Sequence, residues 1–190
     1  MDIDRVTLWS RSIERWQLRP GDHIYAWFGF GVYSHHGIYQ GDDKVIDFTV
    51  DAQSGGSGLS VSASSSSSSS AGGGVRCCSL LGSFLEGHDI RLFAYSVPWW
   101  FYKASIGNGF QDTCSMEDAD PPERVLRRAD YHLNHGFGNY NLLLRNCFDF
   151  AFYCKTGHLY YSLLDIVDDS LGDSPSFSSD LGRVIRRWFF

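Results

Sequence analysis

The sequence predicts a single α+β domain, on three observations. Residues typical of β-strands fill the runs 23–28, 32–40 and 45–50, and a well-capped helix lies between residues 146 and 157. The 190 residues are 43% hydrophobic and 16% aromatic, which is enough to bury a core. Because the β-rich block and the later helical block are each too small to be stable alone, we interpret them as two parts of one fold.

Charge and cysteine content exclude several classes of protein. The chain has 16 Lys and Arg residues against 22 Asp and Glu, a net charge of −6, and so offers no basic face for a nucleic-acid partner. No apolar run reaches the ~18–20 residues of a membrane span, and the first residues do not resemble a secretory signal, so we expect a cytoplasmic protein. Five cysteines, an odd number, predict reduced thiols rather than a disulfide framework.

The β-rich block predicts a leading strand followed by a hairpin. Residues 20–22 read PGD, a turn sequence, and residues 23–28 read HIYAWF, which is rich in strand formers. The runs 32–40 and 45–50 are joined by GDDK at residues 41–44. Such a connection between two β-prone runs indicates a hairpin.

A serine-rich tract separates the two blocks. Residues 52–75 carry no charge, and residues 64–70 are seven consecutive serines. Such a segment buries too little apolar surface to offset the entropy lost on ordering, so we predict a flexible insertion over residues 51–75. Beyond it, residues 90–95 predict another strand, and residues 121–133 predict a charged amphipathic helix that opens with two prolines.

Local signals define both ends of the last helix. Asn146 is a good N-cap, Asp149 is placed to complete a capping box, and Gly157 is placed to end the helix. Cys147 is then the first helical residue, at the positive end of the helix dipole. Since the thiolate is the reactive form of cysteine, and is favoured at a helix start beside an imidazolium, Cys147 is a candidate nucleophile.

Two histidines on the predicted hairpin are candidate bases for this thiol. His35 and His36 lie on its first strand, and Asp47 lies on its second. Cross-strand neighbours share a face of the sheet. A two-residue loop puts Asp47 on the face of His36, whereas a three-residue loop puts it opposite Gly37 and next to His35. The local sequence leaves both registers open.

Four segments together resemble one protein family. Residues 35–42 read HHGIYQGD and residues 140–151 read YNLLLRNCFDFA, with PGDHIY at 20–25 and YCKTG at 153–157. Over residues 18–158, outside the serine tract, the chain resembles the lecithin:retinol acyltransferase (LRAT) family, and most of all its plant-type members.

The resemblance implies a circularly permuted papain-like α+β fold, in which an antiparallel sheet packs on the helix that carries the cysteine. Residues 18–158 would form this domain, with the insertion 51–75 inside it. Residues 1–17 would be an N-terminal extension and residues 159–190 a C-terminal tail. A C-terminal membrane anchor of the kind that many animal members carry is not expected from the sequence of this tail.

The resemblance also selects the reacting groups. It implies that Cys147 is the nucleophile, His35 the base and Asp47 the third polar residue, which requires the register of the three-residue loop. Such enzymes remove a fatty-acyl group from a glycerophospholipid as a cysteine thioester and pass it to an amine, an alcohol or water. The expected partner is therefore a phospholipid or another acyl ester, and the chemistry needs no cofactor and no metal.

Two departures from the family pattern keep other functions open. Asp47 stands where the family usually has histidine, and Phe148 and Asp149 stand where it has glutamate and histidine. A papain-like hydrolase acting on an amide bond would use the same dyad, and a panel of substrates separates it from the ester-cleaving enzyme. A catalytically silent scaffold would keep the fold without a reactive thiol, so the reactivity of Cys147 near neutral pH identifies it.

Two aromatic segments have two interpretations each. Residues 97–103 read VPWWFYK and residues 183–190 read RVIRRWFF. Aromatic and basic side chains together suit a lipid–water interface, which would give peripheral contact with a membrane. The alternative is that the first segment packs in the core and the second is a surface tail.

Overall fold

The structure is a computed structural model that describes residues 12–50, 73–107, 111–142 and 145–159. Most of the predicted insertion lies outside the described residues, as do residues 1–11 of the predicted extension and the predicted tail beyond residue 159, with its aromatic segment 183–190. In the described part of the extension, Arg15–Gln17 form a single 3-10 turn.

The architecture is α+β, as predicted, with a five-stranded antiparallel sheet. The strands are β1 (His23–Phe28), β2 (Tyr33–Gly41), β3 (Lys44–Val50), β4 (Gly73–Ser79) and β5 (Arg91–Leu92). Their order across the sheet is β4-β3-β2-β1-β5. The strand that carries both candidate histidines is therefore the central one.

Three α-helices accompany the sheet in the described residues: α1 (Trp99–Gly107), α2 (Pro122–His135) and α3 (Cys147–Thr156). Helix α3 packs on one face of the sheet and α2 packs beside it. The core that they share includes the fully buried side chains of Ile38, Ile46, Phe48, Val125 and Phe150. Each such side chain stabilises the fold by about 1.5–3 kcal/mol relative to its exposed state, so this core holds α3 against the sheet.

The opposite face of the sheet has a core of its own. Ile24, Val45 and Phe84 are fully buried there. Phe84 belongs to a single π-type helical turn, Leu80–Phe84, that follows β4. Asp47 lies on this covered face and its side chain has no exposed surface, so the carboxylate needs partners inside the protein.

The β2–β3 hairpin combines features of both registers that the sequence left open. Its turn has two residues, Asp42 and Asp43, whose φ angles of 49° and 63° are typical of a type I′ turn. A bulge just before Gly41 adds one residue to β2. Asp47 therefore lies opposite Gly37, as in the register of the three-residue loop, although the turn itself has two residues.

Strand β4 lies where the sequence predicts no strand, and its first residues, 73–75, fall inside the predicted insertion. Its pairing with β3 places Gly73 opposite Val50 and Arg76 opposite Asp47. Glycine has no preference for strands, so β4 forms because it pairs with β3 and not because of its own composition. Strand β4 lies at the edge of the sheet, and it brings the Arg76 side chain beside the buried carboxylate of Asp47.

The strand predicted at residues 90–95 is shorter than expected. Only Arg91–Leu92 pair with β1, as β5. Beyond them the chain changes partners, because Ala94 bridges to Cys114 in the opposite sense, as a parallel pair. The run therefore forms β pairs as predicted, but its second half pairs with the segment around Cys114 instead of with β1.

The aromatic segment 97–103 divides between core and surface. Val97 and Tyr102 are buried, whereas Trp100 is 65% exposed. Core packing therefore accounts for part of the segment only. Across the residues that the structure describes, no helix has both the length and the apolar character needed to cross a bilayer.

Candidate active site

Helix α3 begins at Cys147, as its capping signals predict. The side-chain oxygen of Asn146 accepts hydrogen bonds from the N–H groups of Phe148, at 2.8 Å, and Asp149, at 3.3 Å. The Asp149 carboxylate in turn accepts the N–H of Asn146 at 2.9 Å, and Gly157 ends the helix at a φ of 77°. This reciprocal cap fixes the first turn, so the cysteine side chain starts from a defined position at the positive end of the helix dipole.

The start of α3 meets the open edge of β2. Pairing between β2 and β3 ends at Gly37 and Asp47, and beyond that point β2 pairs with β1 alone. The sulfur of Cys147 reaches this edge and contacts the carbonyl oxygen of Ser34 at 3.9 Å. The split between the two strands thus gives the thiol access to the middle of the sheet.

His35 is hydrogen-bonded to Asp47 and lies near Cys147. Its Nε2 lies 2.8 Å from Oδ2 of Asp47. The imidazole also interacts electrostatically with the nearby Cys147, whose sulfur lies at the neighbouring Ser34 carbonyl oxygen. Since Asp47 occupies Nε2, Nδ1 is the ring nitrogen left for the sulfur. The structure therefore brings together the three residues that the sequence analysis named as candidates.

The surroundings of His35 favour its charged form. Burial alone would lower its pKa, but hydrogen bonds and charge interactions with Asp47 and Cys147 outweigh burial and raise the pKa to about 10. Burial would raise the pKa of Asp47, but the hydrogen bonds from His35 and Arg76 lower it. Near neutral pH the pair is an imidazolium beside a carboxylate, and a cation of this kind stabilises a neighbouring thiolate.

Arg76 forms a two-point ion pair with Asp47 and was not among the residues named from the sequence. Its Nε lies 2.9 Å from Oδ1, and its Nη2 lies 3.1 Å from Oδ2. The sequence offers one weak signal for it, since Arg76 is the first charged residue after the uncharged tract 52–75. Its role depends on the register of β3 and β4, which no local pattern reveals.

Tyr140 is a second site residue that the sequence analysis did not single out. Burial, and next the nearby sulfur of Cys147, raise the pKa of the Tyr140 hydroxyl. The phenol therefore stays protonated and is able to donate to a thiolate. Its ring packs on Phe48, with centroids 5.1 Å apart, and a side chain at position 73 would overlap it, so Gly73 provides its space.

The other candidate base, His36, belongs to a separate buried chain of hydrogen bonds. Its Nδ1 lies 2.9 Å from Nε2 of His23, and its Nε2 lies 2.8 Å from the hydroxyl of Ser34. His23 continues the chain to the hydroxyl of Tyr95 at 2.8 Å. Both rings are fully buried on the face that packs against α3, away from the carboxylate that orients the neighbouring histidine.

This histidine pair predicts a specific sensitivity to acid. Burial and the charge of His35 lower the pKa of His36 to about 3, and burial with the proximity of His36 lowers the pKa of His23. In the unfolded chain both groups titrate near 6.5. Below that pH only the unfolded state takes up these protons. The free energy of unfolding should therefore fall as the pH falls from about 6 to about 5, by about 1.4 kcal/mol per pH unit for each histidine.

Urea unfolding at several pH values between about 5 and 7 measures this slope. The His36→Gln variant removes one titrating group and should show a shallower slope whatever its stability at neutral pH. The exposed His135 gives the matched control, and His135→Gln should keep the slope of the unmodified protein. Equal slopes in all three proteins would contradict the prediction.

The remaining thiols do not share the surroundings of Cys147. Cys78 lies 3.7 Å from Oδ2 of Asp47, and burial with the nearby carboxylate raises its pKa to about 12, so it stays protonated. Cys77 is exposed, whereas Cys114 and Cys154 are buried. Cys147 is also buried, at 7% exposure, but it alone lies near His35 at the start of a helix. Within the described ranges, no group of three or more His, Cys, Asp or Glu side chains is arranged to hold a metal ion.

Comparison with known proteins identifies relatives of the chain. The sequence profile described as Lecithin retinol acyltransferase matches residues 16–160. The Arabidopsis thaliana protein named Protein LEAD-SENSITIVE 1 is 37% identical over 191 aligned residues, which cover 94% of this chain and 71% of that protein. No solved structure gives a significant match. The profile spans both the histidine strand and the cysteine helix, and the chain therefore belongs to the lecithin retinol acyltransferase family.

Proposed function

We propose that this protein is a thiol acyltransferase of the phospholipase A type. Cys147 is the nucleophile, His35 is the base and Asp47 orients His35. The observation that supports the proposal is that Cys147, at the capped start of α3, lies near an imidazole that a buried carboxylate holds at 2.8 Å. The family takes its name from an acyltransferase, which agrees with this chemistry.

The first step transfers the acyl group to sulfur. The Cys147 thiolate attacks the ester carbonyl carbon of a glycerophospholipid, and a carbon–sulfur bond forms. The tetrahedral intermediate then collapses with cleavage of the bond to the glycerol oxygen. The His35 imidazolium gives its proton to this departing alkoxide, so the lysophospholipid leaves as a neutral alcohol and a thioester remains.

Hydrogen-bond donors at the start of α3 would stabilise the negative oxygen of that intermediate. The cap uses the N–H groups of Phe148 and Asp149, and the N–H of Cys147 is not one of these two. This N–H points along the helix dipole, which favours a developing anion. Tyr140, whose protonated hydroxyl lies near the sulfur, would be a further hydrogen-bond donor.

The second step releases the acyl group to an acceptor. His35, now neutral, takes a proton from an amine, an alcohol or water as that acceptor attacks the thioester carbonyl carbon. The carbon–sulfur bond breaks, the thiolate returns and His35 is again charged. Asp47 keeps Nε2 of the ring occupied in both steps, so Nδ1 carries the proton to and from the reacting groups.

The fold that we propose is a circularly permuted papain-like arrangement. In papain-like proteases the cysteine lies near the mature N-terminus and the histidine follows well over a hundred residues later. Here His35 on β2 precedes Cys147 on α3 by 112 positions, the reverse order. The sheet packs on the helix that carries the cysteine, which is the contact that such a permutation would preserve.

The substrate class implies work at a membrane surface. Phospholipid headgroups and ester bonds lie at the surface of a bilayer, so the proposed enzyme is a cytoplasmic protein with peripheral membrane contact. Two exposed aromatic side chains on α1, Trp99 and Trp100, and the nearby exposed Lys103 are residue types suited to a lipid–water interface.

Trapping the thioester tests the proposal. The protein is incubated with phosphatidylcholine carrying isotope-labelled acyl chains, and intact mass spectrometry reads the mass of one acyl group. Peptide mapping should place the label on Cys147, and neutral hydroxylamine should remove it. The Cys77→Ser variant, which lacks an exposed thiol outside the site, should label like the unmodified protein, whereas Cys147→Ala should not label.

The other two functions are distinct outcomes of the same experiment. Turnover of amide substrates without phospholipid labelling would replace the proposed acyl donor with an amide and leave the dyad in place. Absence of label and of turnover, with Cys147 alkylated no faster than Cys77 near neutral pH, would identify a silent scaffold. Label carried by any cysteine other than Cys147 would refute the proposed nucleophile.

A further inference from the structure

We propose that Arg76 is a positioning residue of the thiol site, which holds the Asp47 carboxylate against His35 and offsets its charge. The inference rests on the proposed role of the Cys147–His35 pair. It assigns a task to the first residues after the serine-rich tract, which otherwise have no part in the chemistry. Arg76 does not touch the sulfur and acts only through Asp47.

The geometry ties one carboxylate to two cations. Arg76 lies directly opposite Asp47 in the β3–β4 pair. The guanidinium spans both carboxylate oxygens, at 2.9 Å and 3.1 Å, and the second of these oxygens also accepts the His35 hydrogen bond at 2.8 Å. A planar guanidinium that bonds both oxygens fixes the plane of the carboxylate, and with it the direction in which Asp47 meets the imidazole.

The charge balance matters because His35 has to release its proton in every cycle. A wholly buried carboxylate with no counter-cation would bind an imidazolium strongly and hold that proton. With Arg76 in place the carboxylate and guanidinium are neutral as a pair, so the imidazolium meets a dipole and not a full negative charge. Hydrogen bonding to Asp47 raises the pKa of Arg76, so its charge is permanent across the working range.

In the part of the chain that the structure describes, ionisable groups approach His35 from the sheet and from the side of the cysteine. From the sheet they are Asp47, Arg76, Cys78 and the neighbouring His36, and from the side of the cysteine they are Cys147 and Tyr140. Glu86, near the π-type turn, acts on Arg76 itself. Among these groups Arg76 is the one permanent cation, so its removal changes the charge of the cluster at all working pH values.

The test compares Arg76→Gln, Arg76→Lys and the exposed helix control Arg127→Gln in two assays. The first is the pH profile of Cys147 alkylation, which needs no lipid. The second is the kcat and KM of acyl transfer. Without Arg76, Asp47 loses a stabilising cation, so the acid limb of the alkylation profile should move to higher pH by about one unit. The kcat should fall about 10- to 100-fold with little change in KM.

The other variants distinguish the effect of the Arg76 charge from the effect of its two-point contact. Arg76→Lys keeps the charge but not the two-point contact, so its acid limb should stay in place while its kcat falls by a smaller factor. Arg127→Gln should match the unmodified protein in both assays. In the Asp47→Asn background, where no carboxylate charge needs balancing, adding Arg76→Gln should change kcat by less than about twofold.

Each result decides the inference. The inference would be overturned if the acid limb of Arg76→Gln did not move. It would also be overturned if Arg76→Gln lowered kcat equally in the unmodified protein and in the Asp47→Asn variant. Either result would show that Arg76 only stabilises the sheet. If Arg76→Gln does not fold, the other two variants decide. An unmoved acid limb in Arg76→Lys together with a shifted acid limb in Asp47→Asn supports the charge role. A shifted acid limb in Arg76→Lys opposes it. If no phospholipid reacts but the limb moves as expected, the proposed function fails and the role of Arg76 stands.

Discussion

The Cys147→Ala variant is expected to lose acyl transfer by at least about 10⁴-fold, and His35→Gln by a similar factor. Both proposed steps form or break a bond to the sulfur, and both move a proton through the imidazole. The two groups act as one unit, so their losses should not add. The rate of the double variant should lie within about threefold of the rate of the slower single variant.

Release of labelled fatty acid or transfer to an added amine measures these rates, with Cys77→Ser as the control for an unrelated thiol. Circular dichroism confirms that each variant is folded before its rate is compared. A Cys147→Ala protein that keeps a tenth or more of the activity would exclude this cysteine as the nucleophile. Additive losses would mean that the histidine acts independently of the thiol.

Gly37→Ala is expected to give the largest loss of stability from a single methyl group. An added Cβ at position 37 would lie 2.6 Å from a methyl of Val45, 2.8 Å from the Phe84 ring and 3.1 Å from the Ile46 carbonyl oxygen. Val45 and Phe84 are both fully buried, so overpacking should cost about 1–3 kcal/mol or more. Activity should fall too, because Asp47 lies directly opposite and Phe84 packs on His35.

Urea unfolding gives the comparison, and Gly82→Ala is the matched control. A Cβ there would lie 3.4 Å from the nearest atom, the Ser79 hydroxyl oxygen, which is an ordinary contact. Gly82→Ala should stay within about 0.5 kcal/mol of the unmodified protein, while Gly37→Ala should lower the midpoint with an unchanged slope. Equal midpoints for the two variants would show that the sheet accommodates a methyl group beneath the site.

Features that depend on neighbours in the chain could be predicted from the sequence. Helix α3 has the predicted ends because Asn146, Asp149 and Gly157 act within one turn of the residues they cap. The strands β1 to β3 follow their β-prone runs for the same reason. The catalytic roles of Cys147, His35 and Asp47 stay a prediction until a substrate is tested.

Features that depend on pairing at a distance could not be predicted. The bulge before Gly41 decides which histidine meets Asp47, and it is set by how β2 and β3 bury their faces together. Strand β4 has the composition of a loop and becomes a strand only because β3 is beside it. Arg76 enters the site through Asp47, which lies 29 positions away, so no local motif distinguishes it. Tyr140 belongs to the segment 140–151 that carries the resemblance, but its placement in the site depends on packing against the distant Phe48.

The aspartate at the third position shows how a departure from a family pattern is resolved in three dimensions. The resemblance described above implies a histidine at the position where this chain has Asp47. A carboxylate alone would add a buried negative charge, but the β4 pairing supplies Arg76 and returns the pair to neutrality. The substitution is therefore best understood together with an arginine 29 positions later.

The pairing of Val50 with Gly73 has a consequence for engineering the chain. Val50 and Gly73 flank residues 51–72 and pair on adjacent strands, so the two ends of that segment are already held together. Doubling the length of such a loop costs only about 0.6 kcal/mol in closure entropy. This segment is therefore a suitable place to insert a fluorescent reporter or an affinity tag. A longer insertion there should change the stability of the domain only slightly.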